Sequence, residues 1–222
     1  VLLGLAMGSG TVFSLHYGAG NYVALRRSIF SSFVLIGIVT LILNVAVFIW
    51  LGPILRLLQV PQDIYGMMHS YLWIIFCGIV FTFIYNFYAS LLRAVGDSVT
   101  PLWFLAVSVV LNIALDLFFI LQLDWGIQGA AAATVLAQGV AALGIIIYTY
   151  RRRPELRWHH EDMCFDRTCL KEIASFSTLT CVQQSVMNLG ILMIQGLVNS
   201  FGTAVMAAFA AAVKIDSFAY MP

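Results

Sequence analysis

Long runs without a charged residue dominate the sequence and limit the folds open to it. The runs are 1–25, 28–55, 64–92, 98–123, 125–150 and 173–213, and Asp116 is the one acid within them. A helix needs about 20 apolar residues to cross the hydrocarbon core of a bilayer. Because apolar residues make up 62% of the chain and charged residues 9%, the sequence predicts an all-α polytopic membrane protein.

The hydropathy pattern predicts seven helical segments. They are a partial helix over 1–15 and spans near 29–51, 66–92, 101–123, 127–150, 176–199 and 203–222. The run 173–213 is long enough for two spans, and the turn-forming sequence NSFGT at its centre predicts a tight connection between them. Both ends lie in apolar sequence and the first residue is not Met, so we interpret both ends as cuts through helices.

The basic residues indicate the orientation in the membrane. Nine Lys and Arg residues lie in the loops that contain Arg26, Arg93 and 151–172, whereas the opposite loops hold only Arg56. Cytoplasmic loops carry such an excess, which predicts a multi-pass protein of the cell's inner (plasma) membrane. The net charge of +1 gives no reason to expect a nucleic-acid partner.

The polar stretch 151–175 is predicted to be a cytoplasmic linker. It would join an amino-terminal lobe over 1–150 to the start of a carboxy-terminal lobe over 176–222. The stretch contains four potential zinc ligands, namely His159, His160, Cys164 and Cys169. Their spacing fits none of the strong zinc patterns, so we interpret them as ordinary loop residues.

A polar stripe crosses the predicted span 101–123. Ser108, Asn112 and Asp116 recur every four residues, which places them on one helix face. Thr134 lies as far beyond the short 124–126 loop as Asp116 lies before it, so the two residues are expected at the same depth. Small residues such as Gly129 let the two helices approach closely.

The expected cluster of Asn112, Asp116 and Thr134 offers oxygen atoms as ligands. A carboxylate with amide and hydroxyl oxygens can bind a hard cation such as Na⁺. The same buried carboxylate can carry a proton instead, and the sequence leaves this choice open. A structural hydrogen-bonded core is the other interpretation, but an acid inside a membrane span favours a functional site.

The last two predicted spans carry a second set of polar residues. Thr180, Gln184 and Asn188 repeat every four residues, so they either bond neighbouring helices or line a substrate cavity. Lys214 and Asp216 lie deep in the final segment and are expected to face the cavity. They are two residues apart and therefore do not face each other on a helix.

Several motifs resemble one transporter family. The stretch LLRAVGDSVTPLWFLAVSVVLNIALDLFFI at 91–120, followed by WGIQGAAAATVLAQ at 125–138, is similar to the multidrug and toxic compound extrusion family. YGAGN at 17–21 and AAVKIDSFAYMP at 211–222 fit the same family. The resemblance covers essentially the whole chain, and the joint pattern is more specific than any one motif.

The resemblance implies an architecture and an activity. Family members have twelve helices in two six-helix lobes around a central cavity, of which this chain would supply part of helix two through part of helix eight. They export drugs, dyes and other organic cations or amphiphiles in exchange for Na⁺ or H⁺. The coupling ion is the one cofactor expected, and the transporter is expected to act as a monomer.

The resemblance also implies roles for particular residues. Asn112, Asp116 and Thr134 match the cation-site positions of the amino-terminal lobe in the DinF-like branch. Tyr71 is a weaker match to an aromatic residue beside that site. That branch also uses a first-helix aspartate, which this chain lacks, and the seventh-helix glutamate of another branch has no counterpart here. A second cation site in the other lobe is therefore not expected.

Two other classes of protein fit the sequence less well. An intramembrane aspartyl protease needs two aspartates and a Gly-x-Gly-Asp motif, but AVGD at 94–97 has Ala at the first position and Asp97 belongs at the cytoplasmic edge, far from Asp116. A flippase for lipid-linked oligosaccharides of the same superfamily is the stronger alternative. Such carriers line their cavity with several cationic residues, and only Lys214 is intramembrane here. We therefore expect a transporter and no enzymatic activity.

Overall fold

The structure is a computed structural model that describes residues 2–57, 62–157 and 167–199, together with 209, 212 and 213. The long helices are α1 (Leu2–Gly18), α2 (Tyr22–Leu57), α3 (Gln62–Cys77), α4 (Ile79–Ala94), α5 (Val99–Leu117), α6 (Gly126–Arg152) and α7 (Arg167–Asn199). A π-helical turn, Phe118–Gln122, extends α5, and a 3₁₀ turn, Pro154–Leu156, follows α6.

The predicted all-α membrane fold is confirmed. Within the described residues, the helical stretches Tyr22–Pro53, Val99–Gln122 and Gly126–Arg152 are long and apolar enough to span a bilayer. The segments Tyr65–Cys77 and Ile79–Ala94 make a fourth span if they are taken together, although a 41° bend separates them. The predicted segment 203–222 lies outside the described residues except for 209, 212 and 213.

The start of α5 is fixed by an aspartate. Asp97 accepts a hydrogen bond from the backbone N–H of Thr100 (3.1 Å) through Oδ1 and one from the Thr100 hydroxyl (2.8 Å) through Oδ2. These bonds satisfy a helix-terminal donor that would otherwise lack a partner. Asp97 is thus the acceptor of both bonds, and Thr100 is the donor. Gly96 permits the sharp turn before the cap because its φ is +87°.

The hairpin between α5 and α6 is short and closely packed. The rings of Phe119 and Trp125 stack with their centroids 5.2 Å apart. The backbone N–H of Trp125 donates to the backbone carbonyl of Phe119 (3.1 Å). A Cβ atom on Gly129 would come within 3.0 Å of the Phe119 Cβ, so this glycine allows the close approach. The two helices are therefore antiparallel neighbours, as the sequence predicts.

Helix α1 is held between α4 and α7. The Ser90 hydroxyl of α4 donates to the Ala6 carbonyl (2.7 Å), and the Ser177 hydroxyl of α7 donates to the Leu5 carbonyl (3.3 Å). A Cβ atom on Gly8 would overlap the backbone of Ser177. Small residues and hydroxyl groups thus join α7 to the first six helices, in the manner common for helices in membranes.

Helix α7 extends into the stretch that the sequence predicts as a linker. Helix α7 begins at Arg167, inside the segment 151–175 that was expected to be a connection. Cys169 and Ile173 are buried and form a small apolar cluster with Val12 of α1. This burial explains why the helix starts before the apolar run does. The division of the chain into two lobes stays a prediction.

Candidate cation site

Helices α5 and α6 bring two of the predicted site residues into contact. The Asn112 Nδ2 donates to the Thr134 Oγ1 over 3.3 Å. The Thr134 hydroxyl in turn donates to the Ala130 carbonyl over 3.0 Å, one turn earlier on α6. Because the Asn112 amide nitrogen is engaged by Thr134, its carbonyl oxygen is left to accept a donor or a cation.

Asp116 lies one turn further along the same face of α5. Its Oδ1 is buried and has no hydrogen-bond partner among the described residues. A carboxylate oxygen removed from water without a partner is costly, and the cost is relieved by a proton, a cation or a further donor. Since α5 and α6 are antiparallel and Asn112 meets Thr134, Asp116 lies level with Ala130.

The stripe continues inward into a cavity with both polar and apolar walls. A cavity of about 270 Å³ lies between α1, α4, α5 and α6. Its walls include five polar residues, namely Thr82, Tyr85, Asn86, Ser108 and Gln138. The Thr82 hydroxyl donates to the Gln138 Oε1, and the Asn86 amide donates to the Thr82 carbonyl over 2.8 Å. A cavity of this size, with these polar groups in its wall, has room for several water molecules.

Most of these cavity residues are not among the site residues predicted from the sequence. Gln138 follows Thr134 by four residues, and Asn86 follows Thr82 by the same interval. This four-residue spacing is the signal that identified the stripe on α5. The same spacing on α6 places Gln138 one turn after Thr134, next to the predicted cluster.

The other predicted site residues do not take part in the Asn112–Thr134 contact. Tyr71 lies on α3, in an apolar cavity of about 280 Å³ that it shares with Met67, Met68 and Ile127. On α7, Gln184 is half-buried and Asn188 is exposed. Lys214 and Asp216 lie outside the described residues. The roles assigned to these residues stay predictions.

The fold and the buried polar stripe define a multi-pass α-helical membrane protein. The sequence profile of the MatE family matches residues 1–118. The chain therefore belongs to the MatE family, in agreement with the resemblance found in its motifs.

Curated relatives match along the whole chain. The probable multidrug resistance protein YpnP of Bacillus subtilis (strain 168) is 32% identical over 228 residues, which cover 100% of this chain and 49% of the relative. The probable multidrug resistance protein NorM of Thermotoga maritima is 27% identical, with 100% and 48% covered. The chain thus spans about half the length of the curated relatives it matches.

Solved structures agree with the fold. The crystal structure of the Vibrio cholerae MATE transporter VcmN in its bent form superposes with a TM-score of 0.86 and 26% sequence identity. The match covers 100% of this chain and 50% of that one. The arrangement of α1 to α7 is therefore similar to that of one half of a MATE transporter.

Proposed function

We propose that the full-length protein exports organic cations or amphiphilic compounds in exchange for Na⁺ or H⁺, and that Asp116 is the coupling carboxylate. One observation carries the proposal. The Oδ1 of Asp116, one helical turn from the Asn112–Thr134 contact, is buried and has no hydrogen-bond partner among the described residues. The names of the relatives, which describe multidrug resistance, support efflux as the activity.

The three residues have different roles in this proposal. Asp116 is the group in the stripe that changes charge, so binding of Na⁺ or H⁺ neutralises it inside the membrane. Asn112 supplies its carbonyl oxygen, because its Nδ2 is engaged by Thr134. Thr134 donates its proton to the Ala130 carbonyl and accepts from Asn112, which holds its oxygen in place. These oxygen atoms suit Na⁺ as ligands, and a proton on Asp116 would neutralise the same carboxylate.

Coupling follows from the cost of the buried charge. An empty site leaves a carboxylate inside the bilayer, which is unfavourable by about 2.5–3.5 kcal/mol on insertion scales. The state in which Asp116 is neutralised therefore differs in free energy from the state in which it is charged. A conformational equilibrium can be driven only by such a differential interaction. The cation that binds Asp116 would supply this difference in free energy.

A flippase for lipid-linked oligosaccharides is less well supported. Such a carrier would need cationic side chains in its cavity to hold a pyrophosphate. Arg93 lies in the last turn of α4, and Arg151 and Arg152 lie in the last turn of α6, at helix ends and away from the cavity between α1, α4, α5 and α6, whose lining contains no Arg or Lys. None of the relatives' names given above refers to a lipid substrate.

Direct binding to the full-length protein tests the proposal. The purified transporter is titrated with radiolabelled Na⁺, and proton release is followed in parallel with a pH-sensitive dye. We expect saturable binding of one of the two cations, and its loss in Asp116→Asn. Equal binding of both cations by the wild type and the variant would contradict the assignment of Asp116.

A further inference from the structure

Helix α7 is attached to the other helices by a contact unlike those between them. The large apolar cluster, which includes Phe87 and Ile145, contains buried residues of α1, α2, α4 and α6 and, within the described part of the chain, none of α7. Where α7 meets α1, Val12, Cys169 and Ile173 form a small apolar cluster of their own. Regions with few buried apolar contacts are those that separate most readily from a fold.

The polar contacts of α7 with α1 and α2 use hydroxyl and thiol groups. The Ser177 hydroxyl donates to the Leu5 carbonyl (3.3 Å), and the Ser28 hydroxyl of α2 donates to the Cys169 Sγ (3.4 Å). The second bond is weak because sulfur is a poor acceptor. Cys169 is nevertheless buried, so its thiol meets solvent only when α7 moves away from α1 and α2.

A histidine faces a glutamate across this contact, at the end of the protein that the basic loops assign to the cytoplasm. The His16 Nε2 of α1 lies 3.7 Å from the Glu172 Oε2 of α7. The distance is within ion-pair range but longer than a hydrogen bond. The Nε2 atom is buried and has no hydrogen-bond partner among the described residues. A proton on Nε2 would therefore give His16 and Glu172 a charge-assisted hydrogen bond between the two helices.

The charges at this end leave Glu172 as the acidic partner of His16. Glu172 is the one acid in α1 and in the helices packed against it, α2, α4 and α7. Cations at this end oppose a positive charge on His16, whereas Glu172 and the negative C-terminal end of α1, in whose last turn His16 lies, stabilise it. The other ionisable groups at this end of the four helices are tyrosines, cations and a thiol, namely Tyr17, Tyr22, Arg26, Arg27, Tyr88, Arg93, Arg167, Cys169 and Lys171.

We propose that His16 and Glu172 form a pH-sensitive latch that holds α7 against α1 at the cytoplasmic side. A histidine side chain changes charge between about pH 5 and 8, so the latch is closed when His16 carries its proton and is lost as the pH rises and the proton leaves. His16 and Glu172 are 21% and 48% exposed, which lets cytoplasmic protons reach them. The latch slows the separation of α7 from α1 as the cytoplasm becomes acidic. It goes beyond the proposed function, because it does not depend on Asp116.

Labelling of Cys169 measures how often α7 leaves α1. In the full-length transporter with Cys169 as its sole cysteine, a maleimide reagent reacts with molecules in which the contact is open, so the rate reports the open fraction. The rate is measured at about pH 6 and about pH 8, within the range over which histidine changes charge. Since thiol reactivity itself rises with pH, each variant is compared with the wild type at the same pH.

Loss of the imidazole should matter at the lower pH and not at the higher one. We expect His16→Gln to label about two- to fivefold faster than the wild type at the lower pH, as for loss of a partly exposed ion pair, and at the wild-type rate at the higher pH. Glu172→Gln should behave in the same way, and the half-exposed position of Glu172 makes this variant usable even if His16→Gln does not fold. The two changes together should add little to either one, because each alone removes the pair.

Two further variants make the test specific. His16→Lys keeps a positive charge at both pH values, so it should label more slowly than the wild type at the higher pH. Glu155→Gln is the matched control, because Glu155 also pairs with a cation (Arg153, 3.5 Å) but lies in the turn after α6, and it should label as the wild type does. Equally fast labelling of Glu155→Gln and Glu172→Gln would mean that the effect comes from the net charge of this side, and the latch would be wrong.

The latch and the proposed function can fail separately. The comparison is repeated in the Asp116→Asn background, where we expect the same acid-dependent effect of His16→Gln. Wild-type labelling of Glu172→Gln at the lower pH, or an equal effect at both pH values, would overturn the latch. An effect that vanishes in Asp116→Asn would also overturn it, because the pH response would then belong to the cation site. Normal cation binding by Asp116→Asn would refute the proposed function and leave the latch standing.

Discussion

The Asn112 Nδ2 and the Thr134 Oγ1 lie 3.3 Å apart, although 21 residues and a tight turn separate Asn112 from Thr134 along the chain. The contact fixes the register of α5 against α6. It also leaves the Asn112 carbonyl oxygen to accept a donor or a cation. This one hydrogen bond thus brings together the side chains from which a cation site can be built.

Loss of either neutral residue should weaken cation binding without abolishing it. A hydrogen bond to a charged group is worth about 1.5–3 kcal/mol, and about 1.4 kcal/mol is tenfold in affinity. We therefore expect Asn112→Ala and Thr134→Val to lower the apparent cation affinity of the full-length protein by about tenfold or more. Titrations with radiolabelled Na⁺ or over a pH range measure this.

Thr149→Val is the matched control for Thr134→Val. Thr149 also lies on α6 and also donates to the carbonyl four residues earlier (2.8 Å to Ile145), but it is far from Asp116. An equal loss of affinity in both threonine variants would mean that the effect comes from α6 as a whole.

The contact between α1 and α7 should not tolerate a methyl group. A Cβ atom on Gly8 would overlap the backbone of Ser177, and overpacking of this kind costs about 1–3 kcal/mol. Gly8→Ala should therefore lower the midpoint of thermal unfolding in detergent. Gly66→Ala is the control, because a Cβ there meets nothing within 4 Å, and the change should leave the midpoint equal or higher. An unchanged midpoint for Gly8→Ala would contradict the described packing.

Asp97 should make the stability depend on acid pH. Burial alone would raise the pKa of Asp97, but the hydrogen bonds from Thr100 and Tyr148 and the charge of Arg153 outweigh it and lower that pKa. A lowered pKa means that the stabilisation is fully present above the ordinary value of about 3.9 and is lost as the pH falls through the lowered one. Asp97→Asn should therefore unfold at a lower temperature than the wild type at pH 7. The difference should shrink below about pH 4, and a difference that grows with acid would refute this reading of Asp97.

Orientation in the membrane can be tested with introduced cysteines. Cys169 is buried and is therefore a poor reporter. Arg152 and Gln122 are exposed at opposite ends of the α5–α6 pair. In a chain without its native cysteines, Arg152→Cys should react with an impermeant thiol reagent only from the cytoplasmic side, and Gln122→Cys only from outside. The reverse pattern would overturn the positive-inside assignment.

The sequence predicted the α5–α6 contact because three signals agreed. The polar residues had a four-residue spacing, the turn was short, and small residues such as Gly129 followed it. These local features determine depth and neighbours with little help from the rest of the chain. The Asn112–Thr134 contact is the result.

The break at Gly78 could not be predicted in the same way. A glycine within IIFCGIVF hardly changes the hydropathy of the span. The groups that meet the break lie on other helices: the Asn44 Nδ2 of α2 donates to the Phe76 carbonyl, and Val135 of α6 packs against Gly78. The early start of α7 has a similar cause, since Cys169 and Ile173 pack against Val12 of α1 and the Ser28 hydroxyl of α2 donates to the Cys169 Sγ. Such tertiary contacts override local preference.

Gradient-driven transport by Asp116→Asn tests the central claim most directly. The full-length wild type and the variant are reconstituted into liposomes, a Na⁺ or H⁺ gradient is imposed, and the movement of a fluorescent cationic dye is followed. Dye binding to the purified proteins shows whether the variant keeps its fold. We predict that Asp116→Asn binds dye but moves it no faster than protein-free liposomes, because no other group in the stripe can change charge. Gradient-driven dye movement at the wild-type rate would show that the carboxylate is structural and would contradict the account.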